Sequence, residues 1–404
     1  MKKLLLILLC LPMIVFGQLT MIPDANFEQA LINQGYDSGT VNGSVYTSLI
    51  NTITHLDISN PLNNQIITDL TGIEDFTALI SLHCGNNQLT TLDLSNNTAL
   101  TELDCSTVGW LTGTLTSLDV SQNTALTYLN FRNNQLTTLD LSNNTALTEL
   151  WCQENQLTTL DVSNNTALTE LWCVRNQLTT LDVSNNTALT NLMCHENQLT
   201  TLDISGATAL TDLYCNDNQL TTLDLSNNTS LHTLWCVSNQ LTTLDVSNNT
   251  ALTELQCGWN QLISLNVSGS TALADLECQL NQLTSLDVSQ NTALTHLDCW
   301  SNQLTSLDVR NGNNTIITNF NCTTNPNLTC INVDDFQYSL FNWPNIDPQH
   351  YFSSNCSGTA IQELTTNKEL LRTIDVLGRK TKKTNQPLLY IYDDGTIEKR
   401  ITIE

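Results

Sequence analysis

Apolar residues recur along this chain at fixed offsets with a period of 21 residues. One complete repeat runs from Leu147 to Ala167, LTELWCQENQLTTLDVSNNTA, and the next copy follows it directly. Eleven copies start at Leu79, Leu100, Leu126, Leu147, Leu168, Leu189, Leu210, Leu231, Leu252, Leu273 and Leu294, and a partial twelfth starts at Ile317. A fixed period of about 20 to 50 residues is typical of a solenoid, in which each short unit stacks on a copy of itself.

Each repeat contains two halves in which apolar and polar residues alternate. In the first half Leu150 and Cys152 are predicted to face the core and Trp151 to face outward, and residues 160–162 repeat this alternation in the second half. Such alternation is typical of a half-buried strand, and neither half is long enough for a helix. The chain is therefore predicted to be a mainly β repeat solenoid, with strands or extended segments on both sides and Asn-rich turns between them.

Ten of the fourteen cysteines occupy one position of this repeat. They are Cys84, Cys105, Cys152, Cys173, Cys194, Cys215, Cys236, Cys257, Cys278 and Cys299. Side chains that stack in parallel do not converge as a disulfide requires, and the CxxC or Cys/His spacing of zinc sites is missing. We therefore expect buried thiols that fill the core. Three residues further on, Asn155 and its equivalents are expected to bind backbone groups that the turn exposes.

The repeat string LxxLxCxxNxLxxLDVSxNTA resembles the leucine-rich repeat, in the 21-residue bacterial variety with nested LxxLxL and LxxLDL halves that is called IRREKO. The resemblance covers roughly Ile53 to Asn325, with the same offsets in every copy. It implies a curved solenoid with the LxxLxC strands on the concave side and the LxxLDV segments opposite. Leucine-rich repeats serve mainly as scaffolds for recognition, so the resemblance implies no particular ligand.

The repeats divide the chain into five predicted segments: a signal peptide at 1–17, an N-terminal cap at 18–52, the solenoid at 53–325, a C-terminal cap at 326–357 and a small β-rich tail at 358–404. The signal peptide is indicated by Lys2 and Lys3, which precede an apolar run and a small-residue cleavage site. No later apolar stretch reaches the length of about 18 residues that a transmembrane helix needs. The mature protein is therefore expected outside the cytoplasm and without a membrane span.

Two short segments are predicted to close the open ends of the solenoid. At the N-terminal end, Ile22 to Ile32 is predicted to form a helix capped by Asp24. Caps of this kind hide the apolar core and the strand edges of terminal repeats. At the other end Cys330 and Cys356 are the candidates for a disulfide, which an exported protein permits.

The tail differs from the body in charge and resembles an export signal. Residues 18–357 contain 32 acidic and three basic residues, whereas the tail contains seven acidic and eight basic ones. An acidic body argues against nucleic acid and anionic membranes as partners. The tail is similar to the C-terminal sorting domain of the type IX secretion system of Bacteroidota, whose Ile-x-Asp-x-Leu-Gly-Arg segment is matched by Ile374, Asp375, Leu377, Gly378 and Arg379. This resemblance implies display on the outer surface, where the tail is removed on anchoring.

Function is expected at the outward positions that vary between repeats. Five successive repeats present large, mostly aromatic side chains at one such position: Trp151, Trp172, Met193, Tyr214 and Trp235. The flanking positions add Glu149, Glu170, Asp212 and His195. Because Trp and Tyr are favoured at interaction hot spots, this stripe predicts a groove for a protein, a peptide or a glycan. The alternative is a passive structural protein of the cell surface or matrix, in which the rings only stiffen the sheet.

A second outward position is almost always aspartate. Calcium can bridge stacked carboxylates, which makes Asp140, Asp161 and Asp182 weak candidates for a calcium site. One carboxylate per repeat supplies few ligands, so hydrogen bonds to Ser, Thr or backbone N–H groups of the adjoining repeat are favoured instead. The sequence contains no HExxH helix, GxSxG elbow or phosphate-binding glycine loop, so we expect a protein without catalysis and without a cofactor.

Overall fold

The computed structural model describes residues 17–59, 65–108, 112–356, 370–375, 388–392 and 397–400. The body of the predicted signal peptide and the tail residues 376–379 lie outside these ranges. The chain divides into two compact units, Met1–Ser354 and Asn355–Glu404. Each helix within the described residues is too short or too polar to span a bilayer.

The first half of each repeat forms a three-residue strand of one 13-stranded parallel sheet. The central leucine of a strand points into the core and its two neighbours point outward, as the alternation predicts. The strands pair in register, so that Trp151 lies beside Trp172 and Glu149 beside Glu170. We call the outward surface of this sheet the sheet face. Its strands are His55–Asp57, Ser81–His83, Glu102–Asp104, Tyr128–Asn130, Glu149–Trp151, Glu170–Trp172, Asn191–Met193, Asp212–Tyr214, Thr233–Trp235, Glu254–Gln256, Asp275–Glu277, His296–Asp298 and Asn319–Asn321.

The second half of each repeat forms the opposite side of the coil, which is extended chain with shorter parallel sheets. These sheets pair Thr180–Asp182 with Thr201–Asp203, Thr243–Asp245 with Ser264–Asn266, and in succession Ser285–Asp287, Ser306–Asp308, Cys330–Asn332 and Tyr351–Ser353. The second compact unit contains the antiparallel strands Leu370–Asp375, Leu388–Tyr392 and Ile397–Arg400. The predicted fold class, a mainly β repeat solenoid, is confirmed.

The core is a continuous stack of leucines with one cysteine per repeat, except in the repeat from Leu126, where Phe131 takes its place. The ten cysteines of the repeat position are free and buried, as predicted. Cys322 is an eleventh member, which the sequence pattern missed because the preceding repeat is two residues longer. Burial raises the pKa of the Cys173 and Cys215 thiols to about 12, so these groups stay protonated at neutral pH. The stack is therefore packing material without nucleophilic character.

The asparagine that follows each cysteine ties neighbouring repeats together, as predicted. The Asn155 Nδ2 donates to the carbonyl oxygens of Phe131 and Cys152 at 3.0 and 3.2 Å, and its Oδ1 accepts the Leu136 N–H at 3.0 Å. These bonds hold a tight turn, in which the residue before the asparagine adopts the left-handed backbone conformation. Even the bulky Trp259 does so, with a φ of 54°. Bulky residues avoid that region, so the amide bonds compensate for the strain.

A second asparagine column lies deeper in the structure, and the sequence did not predict it. The Asn165 side chain is fully buried, and its Nδ2 donates to the carbonyl oxygens of Leu141 and Asn144 at 3.1 and 2.8 Å. The other members of this column are Asn97, Asn123, Asn144, Asn186, Asn228, Asn249 and Asn291. Each gives carbonyl groups of the repeat before it a second donor, in addition to a backbone N–H of their own turn, and so ties the two repeats together.

Two repeats replace this second asparagine, and their backbones pack more closely in compensation. Ala207 and Ser270 stand at the position, and each follows a glycine. A Cβ atom on Gly206 would lie 1.7 Å from the Ser184 carbonyl oxygen, and Gly269 has an equivalent close approach. The shorter side chains of Ala207 and Ser270 thus allow the backbones of two successive repeats to approach each other more closely. The residue before them must then be glycine, because a Cβ atom would clash with the carbonyl oxygen of the neighbouring repeat.

Both ends of the solenoid are capped. At the N-terminal end the predicted helix is present as Ala25–Asn33, with the Asp24 carboxylate accepting the N–H groups of Asn26 and Phe27. At the C-terminal end, Trp343 follows a short helix and is almost fully buried. The two cysteines that were candidates for a disulfide, Cys330 and Cys356, are both disulfide-bonded. Further elements near the ends are the strands Leu19–Met21 and Ser44–Tyr46, the helices Thr47–Ile50 and Phe336–Asn342, and the 3-10 turns Ile73–Asp75 and Asn314–Ile316.

Candidate recognition surface

The aromatic residues predicted to bind a ligand all lie on the sheet face, but they are half-buried rather than open. The Trp151 and Trp172 rings stack with their centroids 4.5 Å apart and their planes 2° from parallel. Tyr128 packs its edge on Trp151, and Tyr214 packs in the same way on Trp235 at 5.1 Å. In-register pairing produces these contacts, because it places side chains of successive repeats next to each other. The ring faces of the Trp pair are therefore largely occupied by each other.

Several buried polar atoms around the Trp pair have no hydrogen-bond partner. In the described part of the chain, most other atoms of this kind are the Oδ1 atoms of the deep asparagine column. On the sheet face and its edge, six of them group around one stretch of repeats: Arg132 Nε, Trp151 Nε1, Gln153 Oε1, Trp172 Nε1, Asn191 Oδ1 and His195 Nδ1. We call these six residues the unsatisfied patch. Two more such atoms, Asp275 Oδ1 and Gln279 Oε1, lie further along the solenoid. Buried polar atoms are normally hydrogen-bonded, so this concentration distinguishes the patch from the rest of the fold.

The acidic residues predicted to flank the stripe lie beside the aromatic rings. Glu149 and Glu170 are adjacent in the sheet, and burial together with the Glu170 charge raises the pKa of Glu149. Asp212 accepts a hydrogen bond from the Thr211 hydroxyl at 2.7 Å. His195 lies near the same edge, and burial lowers its pKa, so the imidazole is held neutral. The structure thus brings the predicted residues to one surface, with a neutral imidazole at its edge.

A row of ion pairs follows the edge of the unsatisfied patch. The Arg132 guanidinium contacts Glu154 at 2.9 Å, and Arg175 makes a two-pronged contact with Glu196 at 2.7 and 3.0 Å. Arg175 also lies 3.8 Å from Glu154, which joins the pairs into a row. The positive charges at this edge are therefore neutralised by acids on neighbouring repeats.

The aspartate column on the opposite side forms hydrogen bonds within each turn. The Asp140, Asp161 and Asp182 carboxylates each accept the backbone N–H of the serine two residues later, at 2.8 to 2.9 Å. The expectation of donors on the adjoining repeat was therefore wrong, because the serine is closer in the same turn. These bonds lower the pKa of Asp140 and Asp161. Within the described residues, this column does not bring three candidate metal ligands together.

A different group of ligand-type side chains does converge, and the sequence pattern gave no signal for it. Asp275, Glu277 and His296 lie on neighbouring strands of the sheet face, with one potential ligand atom of each within 4.8 Å of the others. Asp275 and Glu277 share one strand, and His296 stands beside Asp275 on the next strand, 21 residues later. All three occupy ordinary outward positions of the repeat, so no metal-binding motif marks them.

A cysteine–histidine contact near the C-terminal end is structural. The Cys322 Sγ lies 3.6 Å from the His350 Nδ1, and the same nitrogen accepts the Asp347 N–H at 3.1 Å. Both side chains are buried, and burial raises the pKa of the Cys322 thiol far above its ordinary value. A nucleophile must be accessible and at least partly ionised, so this pair lacks the properties of a catalytic dyad.

Comparison with known proteins agrees with this architecture. The LVIVD repeat family matches residues 113–151 and 152–175. No curated protein sequence matches the chain. Among solved structures, the functional domain of InlJ from Listeria monocytogenes, which includes a cysteine ladder, is 31% identical over 94% of this chain and 97% of that one, with a TM-score of 0.64. The chain belongs to the leucine-rich-repeat family.

Other leucine-rich-repeat structures show the same fold. The internalin InlF from Listeria monocytogenes is 25% identical over 81% of this chain and 95% of that one, with a TM-score of 0.60. A leucine-rich-repeat protein from Leptospira interrogans is 24% identical over 70% of this chain and 74% of that one, with a TM-score of 0.54. In leucine-rich repeats the strands line the inside of the horseshoe, so the sheet face is the concave side. Leucine-rich-repeat solenoids of this kind are typically scaffolds for protein recognition.

Proposed function

We propose that this leucine-rich-repeat protein is a recognition protein that binds a partner protein or peptide on its sheet face, at the unsatisfied patch. The observation that carries the proposal is the group of buried, unpartnered polar atoms beside the stacked indoles of Trp151 and Trp172. An unsatisfied buried donor or acceptor costs about 1–3 kcal/mol. A partner that supplies complementary groups recovers this free energy on binding, so the patch favours the bound state.

The geometry favours a protein or peptide over a glycan. Sugars stack on free aromatic faces, whereas Trp151 and Trp172 cover one another with nearly parallel planes. The two unpartnered indole N–H groups require acceptors such as backbone carbonyl oxygens, and an extended chain supplies these at regular intervals. The strong negative charge of the body favours a partner with basic groups around the contact.

A passive structural protein of the cell surface or matrix is the alternative. Stacked rings stiffen a sheet without any ligand, which accounts for the Trp pair by itself. It does not account for the unpartnered atoms of Gln153, Asn191 and His195 around that pair. A structural surface gains stability when such atoms are paired, so their presence supports recognition.

Replacing Trp172 and Trp235 together by alanine is expected to weaken partner binding by at least about 30-fold, the effect of losing a hot spot worth about 2 kcal/mol. Both rings lie at outward, half-buried positions of the sheet face, and the buried residue of each strand is its central leucine. The measurement is surface plasmon resonance against a partner selected from a protein and glycan array. Trp259→Ala is the matched control, because that ring is 58% exposed and lies outside the unsatisfied patch. Equal affinity of the double variant and the native protein would contradict the proposal.

We further propose that the protein acts on the outer cell surface, exported by its signal peptide and sorted by its tail. The resemblance of the tail to the type IX sorting domain supports this, and Ile374 and Asp375 end the described strand Leu370–Asp375. Deleting residues 358–404 is expected to retain the protein inside the cell envelope, since the sorting address is lost. Cell fractionation with mass spectrometry of the mature termini measures this, and surface display of the truncated chain would be the contrary result.

A further inference from the structure

We propose that the sheet face also binds a divalent transition-metal ion, with Zn²⁺ the best match, through Asp275, Glu277 and His296. This site lies several repeats beyond the unsatisfied patch and is independent of the proposed partner binding. Its residues combine two carboxylates with one imidazole, a donor set that suits zinc and related ions. Calcium, by contrast, takes six to eight oxygen ligands.

Strand pairing places the three side chains around one point. Asp275 and His296 are directly opposite each other on adjacent strands, and Glu277 projects from the same side as Asp275 two residues later. The His296 Nδ1 lies 3.8 Å from the Asp275 Oδ2, and the three ligand atoms lie within 4.8 Å of one another. Ligand atoms of a tetrahedral zinc ion are about 3.4 Å apart, since each is about 2.0–2.1 Å from the metal. Side-chain movements of about 1 Å therefore bring these three atoms to the separation that ligands of one zinc ion have.

An unpartnered oxygen at the same point independently indicates a ligand. The Asp275 Oδ1 is buried and has no hydrogen-bond partner, and neither has the Oε1 of Gln279, whose Nε2 donates to Glu277 at 3.3 Å. Among the described residues of the solenoid, no other carboxylate oxygen is both buried and unpartnered. Asp161 and its equivalents, for example, accept the N–H of a serine in their own turn. The aspartates of that column thus find a hydrogen-bond donor within their own turn, whereas the Asp275 Oδ1 has none.

Like charges around the cluster add to the need for a cation. Glu254 lies beside Asp275 on the preceding strand, and Asp298 lies beside Glu277 on the following one. Four carboxylates thus lie on three neighbouring strands, and a bound divalent cation offsets the repulsion between them.

The test is a titration of the full, untagged chain, first stripped with EDTA, with Zn²⁺ by isothermal calorimetry and thermal denaturation. One Zn²⁺ ion per chain, a higher melting temperature, and weaker binding of Ca²⁺ are expected. The variants Asp275→Asn and His296→Gln are each expected to weaken Zn²⁺ binding at least tenfold, since each removes a ligand. The controls are His232→Gln, an exposed histidine outside the cluster, and Asp161→Asn on the opposite side of the coil.

The melting temperature of the metal-free Asp275→Asn variant shows whether Asp275 acts as a metal ligand or only stabilises the fold. Because this change removes one of four neighbouring like charges, the metal-free variant is expected to melt at or above the temperature of the native chain. Loss of the Zn²⁺ response in such a stable variant supports the site. Zn²⁺ binding that persists in both ligand variants, or Ca²⁺ binding tighter than Zn²⁺ binding, would overturn it.

Discussion

Replacing Trp343 by alanine is expected to lower the free energy of unfolding by about 3–5 kcal/mol, the typical cost of truncating a buried Trp. Only 1% of this side chain is exposed. Its ring stacks on Phe320 with centroids 4.3 Å apart, and its Nε1 donates to the Ile317 carbonyl oxygen at 3.0 Å. The terminal repeat of a solenoid has a neighbour on one side only, so this ring is what covers its apolar end.

The effect is measured by guanidinium denaturation followed by circular dichroism and by hydrogen exchange. Phe341→Ala is the matched control, because Phe341 lies on the adjoining helix Phe336–Asn342 and is 77% exposed. A change of no more than about 0.5 kcal/mol is expected there. The first amides to lose protection in the Trp343 variant should be those of Asn319–Asn321, the last strand of the long sheet. Equal destabilisation by the two variants would show that the cap does not depend on Trp343.

Replacing Asn165 by alanine is expected to destabilise the protein by about 1–3 kcal/mol. The change removes two buried hydrogen bonds to the carbonyl groups of Leu141 and Asn144, each of which keeps one backbone N–H donor in its own turn. A buried hydrogen bond is worth about 0.5–1.5 kcal/mol net. The turn before this repeat cannot move closer to compensate, because the preceding residue is Asn164 and not a glycine as at Gly206.

The neighbouring asparagine supplies the control for this effect. Asn164 is exposed, and its Nδ2 makes one long contact of 3.5 Å with the Ser142 carbonyl oxygen. Asn164→Ala should therefore change the free energy of unfolding by no more than about 0.5 kcal/mol. Urea denaturation of both variants under the same conditions provides the comparison. A loss in Asn165→Ala as small as that in Asn164→Ala would mean that the deep column does not stabilise the coil.

The roles of Trp343 and Asn165 could be predicted from the sequence only in part. A C-terminal cap rich in aromatics was predicted because the repeat breaks there, but which ring enters the core was not. Asn164 and Asn165 are identical residues in the same turn, and propensity cannot tell them apart. Their roles differ because Asn165 is buried and donates two hydrogen bonds to the preceding repeat, whereas Asn164 is exposed and makes one long contact with it.

The candidate site shows the same division. The sequence located the stripe that contains Trp151 and Trp172, since strand alternation determines which side chains point away from the core. It did not show that the two rings stack on each other, nor that polar atoms around them lack partners. It gave no indication of the cluster of Asp275, Glu277 and His296, because ligands without a fixed spacing become visible only when strands are placed side by side.

The sequence by itself determined the period, the strand class, the buried cysteines and the N-terminal helix capped by Asp24. These features follow from local alternation and capping, which depend on residues a few positions apart. Tertiary structure alone decided which asparagine is buried and which outward side chains meet. Both depend on groups about 21 residues apart that become neighbours when one turn of the coil stacks on the next. The sequence pattern is sufficient to recognise the repeat, whereas the contacts between repeats can be seen only in the stacked structure.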